Sequence, residues 1–328
     1  MKIQEKQLRE IVHGAERVTE EKNGFRFHRF TEEQEEYYRE NSPEDFYLKA
    51  LATSGISLAF KTDSRTLRIS INNTIASSRR FAFLDIEADK EIISHIGSDE
   101  KGIGEFAGTV DLGEGIKRVC IYFPQLVSAT LKELELDDGS LLEPIPMSRK
   151  MLLFGDSITQ GYDALYPSHT YATGLAGLLN ADARNKGIGG EVFQPALALK
   201  ADSDFEPDII TVAYGTNDFT RRSSDVLREK AYAFYRNISE TYPTAKIFAI
   251  SPIWRGDKSR VKKCEKPFEW VSECIEGIAR QFQNVIFIDG INLVPHDPAC
   301  YSPDGLHPND IGFATYTERL YASVKPYL

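Results

Sequence analysis

The sequence predicts an α/β protein in which an all-β sandwich domain precedes a doubly wound parallel sheet. The chain has 328 residues, which is enough for two domains at roughly 150 residues each. Between about residues 24 and 145, short runs alternate apolar and polar side chains, as half-buried strands do. From Met151 onward, short apolar runs alternate with segments of helical periodicity, a pattern typical of strand-helix units with parallel strands.

The first half contains several predicted strands with no helix between them. Such an arrangement favours a β-sandwich of the jelly-roll type. Two polar stretches with helical character, near 2–11 and 32–40, precede the strands. We therefore expect residues 1–147 to form a jelly-roll-like accessory domain with short N-terminal helices. The clearest strand patterns lie at 56–60, 67–71, 81–86, 119–123 and 131–136, and the last precedes a predicted turn at 137–139.

The second half, residues 148–328, reads as one domain. Its strands are almost continuously apolar, as expected when helices cover both faces of a sheet. In such sheets the functional groups collect at the carboxyl ends of the strands. The predicted strands are 150–154, 182–187, 208–213, 245–250 and 285–289. The predicted helices are 168–180, 192–200, 223–241, 268–283 and 309–325.

Composition excludes several classes of protein. The chain carries 49 acidic and 39 basic residues, a net charge of −10, without a basic cluster that would bind nucleic acid or an anionic membrane. No apolar run approaches the roughly 18 residues of a transmembrane helix. The first residues lack the apolar core of a signal peptide, so we expect a cytoplasmic protein. The four cysteines have no metal-like spacing and are expected to be reduced thiols.

Two polar motifs follow predicted strands. Gly155-Asp156-Ser157 ends the first strand, and Gly155 permits the sharp turn that would place Ser157 at a strand-helix junction. A serine there suits a nucleophile, although an ordinary helix N-cap explains it equally. Asn217 follows the third strand and can direct its amide into the same crevice, or form a simple Asx turn.

Two further segments complete the set. Gly187, Gly189 and Gly190 follow the second strand and allow close approach of backbone N–H groups to a ligand; a phosphate loop is the weaker alternative. Before the last helix, Asp304 stands three residues ahead of His307. A carboxylate so placed can hold one ring nitrogen while the other faces outward, although a surface turn with a capping aspartate is the plain alternative.

Together these segments supply the parts of an acyl-transfer site. A serine, an aspartate-histidine pair and two potential oxyanion donors are all predicted at one edge of one sheet. They match a nucleophile, a general base with its orienting carboxylate, and an electrophilic stabiliser. The G-x-S-x-G elbow of α/β-hydrolases is missing, because Ile158 and Thr159 follow Ser157. Metal-binding motifs are also missing, so neither a metal nor a cofactor is expected.

In these four ordered blocks the sequence resembles the SGNH hydrolases, also called GDSL esterases. The resemblance covers roughly residues 150–328 and implies a flavodoxin-like sheet. It implies that Ser157 attacks an ester, that His307 is the base, and that Asp304 orients it. It also implies an oxyanion hole formed by the N–H groups of Ser157 and Gly190 and the amide of Asn217. Ile158 stands where the family name has leucine, and the spacing from Asn185 favours Gly190 over Gly187 and Gly189.

The β-rich first half followed by such a domain resembles two-domain carbohydrate esterases, which implies a sugar or oligosaccharide acetyl ester as substrate. We expect Asp156, Trp254, Arg255 and Tyr301 to contribute to substrate binding. Packing roles are the alternative for the aromatic residues. Two other functions stay open: a lipase- or thioesterase-like enzyme for longer acyl chains, and a non-catalytic carbohydrate-binding protein. The first domain has two alternatives as well, a ligand-binding module or a packing partner.

Overall fold

The computed structural model describes residues 1–199, 205–257 and 262–328 of the chain. Contacts divide the chain into two compact units. The first comprises Met1–Met147 together with the short segment Leu165–Ser168, and the second comprises Ser148–Ala164 and His169–Leu328. Within the described residues, no helix combines the length and the apolar character that crossing a membrane requires.

The first unit contains two antiparallel sheets and three short helices. The helices are α1 (Glu5–Ile11), α2 (Glu32–Asn41) and α3 (Glu44–Ala50). The strands are β1 (Val12–His13), β2 (Arg17–Glu21), β3 (Gly24–His28), β4 (Ser57–Thr62), β5 (Thr66–Ile75), β6 (Ala82–Ala88), β7 (Glu91–Ser98), β8 (Gly104–Asp111), β9 (Lys117–Tyr122), β10 (Val127–Leu136) and β11 (Glu143–Pro144). One sheet has the order β2-β3-β10-β5-β8, and the other β1-β4-β9-β6-β7, with β11 paired to β4.

The alternation of apolar and polar side chains along the strands explains why the two sheets pack face to face. Along β10, the buried residues Leu134 and Leu136 pair with Ile69 and Leu67 of β5, and all four belong to one apolar cluster. Residues of both sheets contribute to that cluster, so the inner faces share a core. The β-sandwich predicted from period-two patterns is therefore confirmed. The sequence patterns did not reveal β1, β2 or α3. The expectation that the helices precede all the strands is wrong, because α2 and α3 lie between β3 and β4.

A buried carboxylate in the first unit secures the segment Leu165–Ser168. Asp85 is fully buried and accepts hydrogen bonds from the backbone N–H of Ser168 at 3.0 Å and from its hydroxyl at 2.5 Å. Its other oxygen lies 2.7 Å from Nδ1 of His95, whose ring stacks on Tyr166 at 3.8 Å between centroids. Hydrogen bonds of this kind satisfy a carboxylate that burial would otherwise penalise.

The second unit contains one parallel five-stranded sheet. Its strands are β12 (Arg149–Gly155), β13 (Ala181–Asn185), β14 (Ile209–Ala213), β15 (Lys246–Ile250) and β16 (Val285–Ile288). Its helices are α4 (Ser157–Gln160), α5 (Tyr171–Leu179), α6 (Pro195–Leu199), α7 (Thr216–Arg221), α8 (Ser224–Thr241), α9 (Glu269–Ala279) and α10 (Asp310–Val324). The strand order β13-β12-β14-β15-β16 is that of a flavodoxin-like doubly wound sheet, which confirms the predicted fold class.

Apolar layers cover both faces of this sheet. Successive residues of β12 alternate between them: Leu152 and Phe154 belong to one cluster, whereas Met151 and Leu153 belong to the other. This arrangement explains why the strand is apolar throughout. In a doubly wound sheet, the loops after the two central strands diverge to opposite faces and leave a crevice between them. Here those strands are β12 and β14.

Helix ends differ from the expected ones for local reasons. The helix predicted at 168–180 begins at Tyr171, because Pro167–His169 form a 3₁₀ turn and the Thr170 hydroxyl caps the N–H of Thr173. The helix predicted at 268–283 ends at Ala279. The one predicted at 192–200 begins at Pro195, and its last residue, Lys200, lies outside the described residues. Further 3₁₀ turns are Pro298–Cys300 and Lys325–Tyr327.

The close approach of two strand ends makes Gly290 a sensitive position. A Cβ there would lie 1.8 Å from the carbonyl oxygen of Ser251. We expect Gly290→Ala to destabilise the protein by about 1–3 kcal/mol, as overpacking does. Gly277→Ala, in α9 with no atom within 4 Å of its added Cβ, should stabilise by about 0.5–1 kcal/mol. Urea unfolding measures both, and equal stability of the two variants would contradict this explanation.

Candidate active site

Ser157 closely follows strand β12. Gly155 cannot be larger there, because a Cβ would lie 1.9 Å from the hydroxyl oxygen of Thr159. Asp156 then caps the following turn, accepting a hydrogen bond from the N–H of Ile158 at 3.0 Å. Ser157 begins α4 and is 6% exposed. The structure thus places the serine at the strand-helix junction expected from the sequence.

Asp304 and His307 lie on a compact loop before α10. The loop is closed by hydrogen bonds from the N–H of Ser302 to the carbonyl of His307 at 2.8 Å and from the N–H of Gly305 to the carbonyl of Ser302 at 2.9 Å. Gly305 has a φ of +64°, which favours glycine. One Asp304 oxygen accepts from the backbone N–H of Leu306 at 2.9 Å and of His307 at 3.0 Å, so this carboxylate also shapes its own loop.

A continuous hydrogen-bonded chain links the three residues. Nε2 of His307 lies 2.8 Å from Oγ of Ser157, and Nδ1 lies 2.6 Å from the second oxygen of Asp304. A histidine held in this way can take a proton from the serine on one side while the carboxylate stabilises the resulting charge on the other. The arrangement therefore has the geometry of a nucleophile with its base and orienting group.

Two residues that sequence reasoning missed also face His307. The Tyr162 ring stacks on the imidazole at 5.5 Å between centroids, and Asp163 places a carboxylate oxygen 3.6 Å from Nδ1. Both follow Gly161, which ends α4 with a φ of +97°. That glycine was the one local sign of a turn after Ser157, but nothing in the spacing of these residues relates them to a histidine 144 or more positions later.

The glycine segment distinguishes its three members by their hydrogen bonds. The N–H of Gly187 donates to the Asn185 side chain at 2.8 Å, and that of Gly189 donates to the Gln160 side chain at 2.7 Å. Among the described residues, the N–H of Gly190 has no acceptor. Its φ of +87° lies in the left-handed region. These contacts favour Gly190 as the backbone oxyanion donor.

Asn217 lies in α7, directly after β14. Its amide nitrogen donates to the carbonyl of Glu191 at 3.0 Å, which fixes the side chain beside the glycine segment. An amide nitrogen carries two hydrogens, so one is left to donate elsewhere. The neighbouring Asp218 accepts from the N–H of Phe193 at 3.3 Å and from Arg222 at 2.8 Å. These bonds tie α7 to the glycine segment.

Burial and hydrogen bonding act differently on Asp304 and Asp156. Burial would raise the pKa of Asp304, but hydrogen bonds from the His307 ring and from the N–H groups of His307 and Leu306 hold that pKa well below its usual range. Asp304 is therefore ionised at neutral pH, as an orienting carboxylate must be. Burial raises the pKa of Asp156 to about 6, partly opposed by the Ile158 N–H and the His307 charge.

Asp218 provides a test of this electrostatic description. Burial raises its pKa to about 6 despite the opposing Arg222 charge. A carboxyl that binds its proton more tightly when folded stabilises most below pH 4, and this contribution disappears as the pH rises through 6. Relative to wild type, Asp218→Asn should therefore gain on the order of 2–3 kcal/mol between pH 4 and pH 7. Urea unfolding at both pH values measures this, and a pH-independent difference would contradict it.

The expected substrate-binding residues take different positions. Trp254 is partly buried, stacks on His296 at 5.3 Å between centroids and packs edge-on against Tyr301. Tyr301 is 5% exposed and donates its hydroxyl to the Trp254 carbonyl at 3.0 Å. Asp156 is 2% exposed and caps α4. Trp254 thus presents the most open surface of these three.

Arg255 connects two of the motif loops. Its guanidinium pairs with Asp257 at 3.2 Å and lies 3.4 Å from the carbonyl oxygen of Thr216, beside Asn217. The same segment bonds to the loop of His307, because the N–H of Gly256 donates to the Gly305 carbonyl at 2.8 Å. The loop after β15 therefore packs against the start of α7, which carries Asn217, and against the loop that carries His307.

Asp163, Asp304 and His307 also meet the distance requirement for a metal site. Their potential ligand atoms lie within 4.8 Å of one another, and no other such group occurs in the described parts of the chain. The two ring nitrogens of His307 are already hydrogen-bonded to Ser157 and Asp304. These bonds favour proton transfer rather than metal coordination at this position.

Several solved structures have a fold similar to that of this chain. The salicylyl-acyltransferase SsfX3 from a tetracycline biosynthetic pathway is 23% identical, with a TM-score of 0.78 over 97% of this chain and 95% of the other. A family two carbohydrate esterase from Clostridium thermocellum, solved with cellohexaose, is 16% identical, with a TM-score of 0.68 over 96% and 98%. An acetyl xylan esterase from Butyrivibrio proteoclasticus is 18% identical, with a TM-score of 0.59 over 83% and 90%.

At these identities the solved structures show a shared fold. A comparison with curated protein sequences gave no match. The family model of the GDSL-like lipases and acylhydrolases matches residues 153–314, a stretch that begins in β12, ends in α10 and includes every motif described above. This stretch, just under half of the chain, is therefore similar to the GDSL-like lipase/acylhydrolase family.

Proposed function

We propose that the protein is a serine esterase that removes small acyl groups, chiefly acetyl, from carbohydrate esters. The observation that carries this proposal is the hydrogen-bonded chain from Ser157 through His307 to Asp304. The match of residues 153–314 to a hydrolase family model supports ester chemistry at that serine. The likeness of the fold to a carbohydrate esterase and an acetyl xylan esterase supports the substrate class.

The proposed reaction has two acyl-transfer steps. Oγ of Ser157 attacks the ester carbonyl carbon, and its proton moves to Nε2 of His307. The anionic Asp304 stabilises the imidazolium. The developing oxyanion accepts hydrogen bonds from the N–H groups of Ser157 and Gly190 and from the second amide hydrogen of Asn217. His307 then protonates the departing alcohol, and water repeats the sequence on the acyl-enzyme to release the acid.

Trp254 supports a sugar as the alcohol part of the substrate. The residue is partly exposed, and its flat ring is braced by His296 and Tyr301. Aromatic rings of this kind present a rigid apolar face with little loss of side-chain entropy, which suits stacking against the apolar face of a sugar. The Arg255 guanidinium, paired with Asp257, would hold this loop beside the reacting centre.

Acetate release from acetylated xylo- and manno-oligosaccharides tests the substrate class. The proposal predicts release by the wild type and none by Ser157→Ala. A parallel series of p-nitrophenyl esters from acetyl to dodecanoyl tests the acyl group, with activity expected to be highest at acetyl. A maximum at long chains, with no release from any acetylated sugar, would instead favour the lipase-like alternative. Sugar binding without turnover of any ester would favour a binding protein.

A further inference from the structure

We propose that Asp163 is a second carboxylate for His307, a positioning residue that stabilises the protonated ring and keeps Nδ1 directed away from Ser157. The proposal rests on the proposed roles of Ser157 and His307 and extends them. Nδ1 of His307 faces two carboxylate oxygens, Asp304 at 2.6 Å and Asp163 at 3.6 Å. The first distance is a hydrogen bond; the second is a charge contact that a small ring movement would convert into one.

The backbone holds Asp163 in this position. Its φ of +69° lies in the left-handed region, which aspartate and asparagine tolerate better than most residues. The N–H groups of Gly161 and Tyr162 both donate to the carbonyl of Ser157, at 3.0 and 2.9 Å. The turn that begins at Ser157 therefore ends at Asp163, whose carboxylate faces His307.

The adjoining Tyr162 limits how the His307 ring can turn relative to Asp163. Its ring stacks on the imidazole, and its hydroxyl occupies the space beside Gly189, where a Cβ would lie 2.6 Å away. Tyr162 and Asp163 thus contact the histidine at its face and its edge. Both aspartates are partly shielded from water, since the Asp163 side chain is 12% exposed and that of Asp304 is 30% exposed.

Two carboxylates at one nitrogen make each less essential. In serine hydrolases that rely on one such aspartate, its amide variant loses about 10⁴-fold in kcat. Here Asp163 would still favour the productive tautomer after Asp304→Asn, so that variant should lose only about 10²-fold. Asp163→Asn alone should lose about 10-fold, and the double variant about 10⁴-fold, more than the product of the single losses. KM should change little, because neither carboxylate is assigned a contact with the substrate.

The pH dependence of kcat/KM distinguishes an electrostatic role of Asp163 from a purely structural one. A structural role would leave the profile at the same pH. Three carboxylates influence the ring: Asp304 and Asp163 at Nδ1, and Asp156 from the turn before Ser157. Removing the Asp163 charge makes a protonated ring less favourable. The acid limb of the kcat/KM profile should therefore move to lower pH in Asp163→Asn.

Two assays with the full-length chain test the proposal. One follows hydrolysis of p-nitrophenyl acetate by the wild type, both single variants and the double variant. The other follows the rate at which an alkyl fluorophosphonate modifies Ser157. In that step an Oγ–P bond forms, the P–F bond breaks, fluoride leaves and the serine proton passes to His307. Because the probe contains no sugar or acetyl group, its rate is independent of the substrate class.

Asp89→Asn is the matched control. Asp89 has a φ of +50° and accepts from the backbone N–H of Arg118 at 2.9 Å in the first unit, so the variant makes the same change at another left-handed aspartate. It should leave both rates unchanged. If the Asp163→Asn change alters neither rate, in the wild type or in Asp304→Asn, and leaves the acid limb unshifted, the role of Asp163 alone would be overturned. A wild type that neither turns over the ester nor reacts with the probe would overturn the proposed function as well.

Discussion

Ser157→Ala is expected to reduce ester hydrolysis by about 10⁴-fold or more while leaving the fold intact. The hydroxyl is the only group of Ser157 that the variant removes, and its Oγ is 2.8 Å from the base His307. Without it no acyl-enzyme forms. Residual hydrolysis would come from water held near the oxyanion donors. Steady-state rates on p-nitrophenyl acetate measure the loss, and circular dichroism and the urea midpoint verify the fold.

The control is Ser224→Ala. Ser224 is 2% exposed, and its hydroxyl donates to the Glu265 side chain, so this variant also deletes a buried serine hydroxyl. It should lose some stability and retain the wild-type kcat. Ser157→Ala with more than a tenth of the wild-type rate would eliminate Ser157 as the nucleophile.

Asn217→Ala is expected to reduce kcat by about 10²–10³-fold, the usual cost of losing one oxyanion donor. The reason is geometric. One amide hydrogen is fixed by the Glu191 carbonyl at 3.0 Å, which leaves the other in a constant direction beside Gly190. A donor that is already oriented stabilises the transition state without reorganisation. KM should change much less than kcat, since the donor acts chiefly on the developing negative charge.

Asn237→Ala separates catalysis from stability. Asn237 is 6% exposed, and its amide donates to the Pro195 carbonyl at 2.9 Å, so its variant breaks the same type of bond in α8. Both variants should lower the urea midpoint by similar amounts. Only Asn217→Ala should lower kcat, and equal kcat values for the two variants would refute the oxyanion role.

Much of the fold was predictable because the spacing of apolar residues indicates which segments are strands and which faces of the sheets are covered. The continuous apolar strands of the second unit indicate a sheet covered on both faces. Gly155 is the last residue of β12, and Gly215 is the residue before α7. Ser157 and Asn217 closely follow β12 and β14 of that sheet, so the topology places both at one edge. His307 lies 19 residues after the end of β16, and its position depends on the loop before α10. The roles assigned to them stay predictions until the variants are measured.

Other features depended on tertiary contacts that no local pattern encodes. Asp163 and Tyr162 face His307 only because the turn after Ser157 folds back on its own carbonyl. The three glycines are also distinguished by side-chain contacts. The backbone N–H groups of Gly187 and Gly189 donate to the side chains of Asn185 and Gln160, respectively, whereas that of Gly190 has no acceptor among the described residues. Asn185 is a local acceptor for Gly187, but Gln160 lies 29 residues from Gly189, a contact that spacing within the glycine segment could not indicate.

The proposed function depends on Ser157 as the nucleophile and on His307 as its base. Peptide mass spectrometry after treatment of the wild type and His307→Ala with an alkyl fluorophosphonate tests this most directly. We predict one stoichiometric adduct on Ser157 in the wild type and a rate of modification lower by at least about 10³-fold in His307→Ala. An adduct on another residue, or equal modification of Ser157 in both proteins, would contradict the claim.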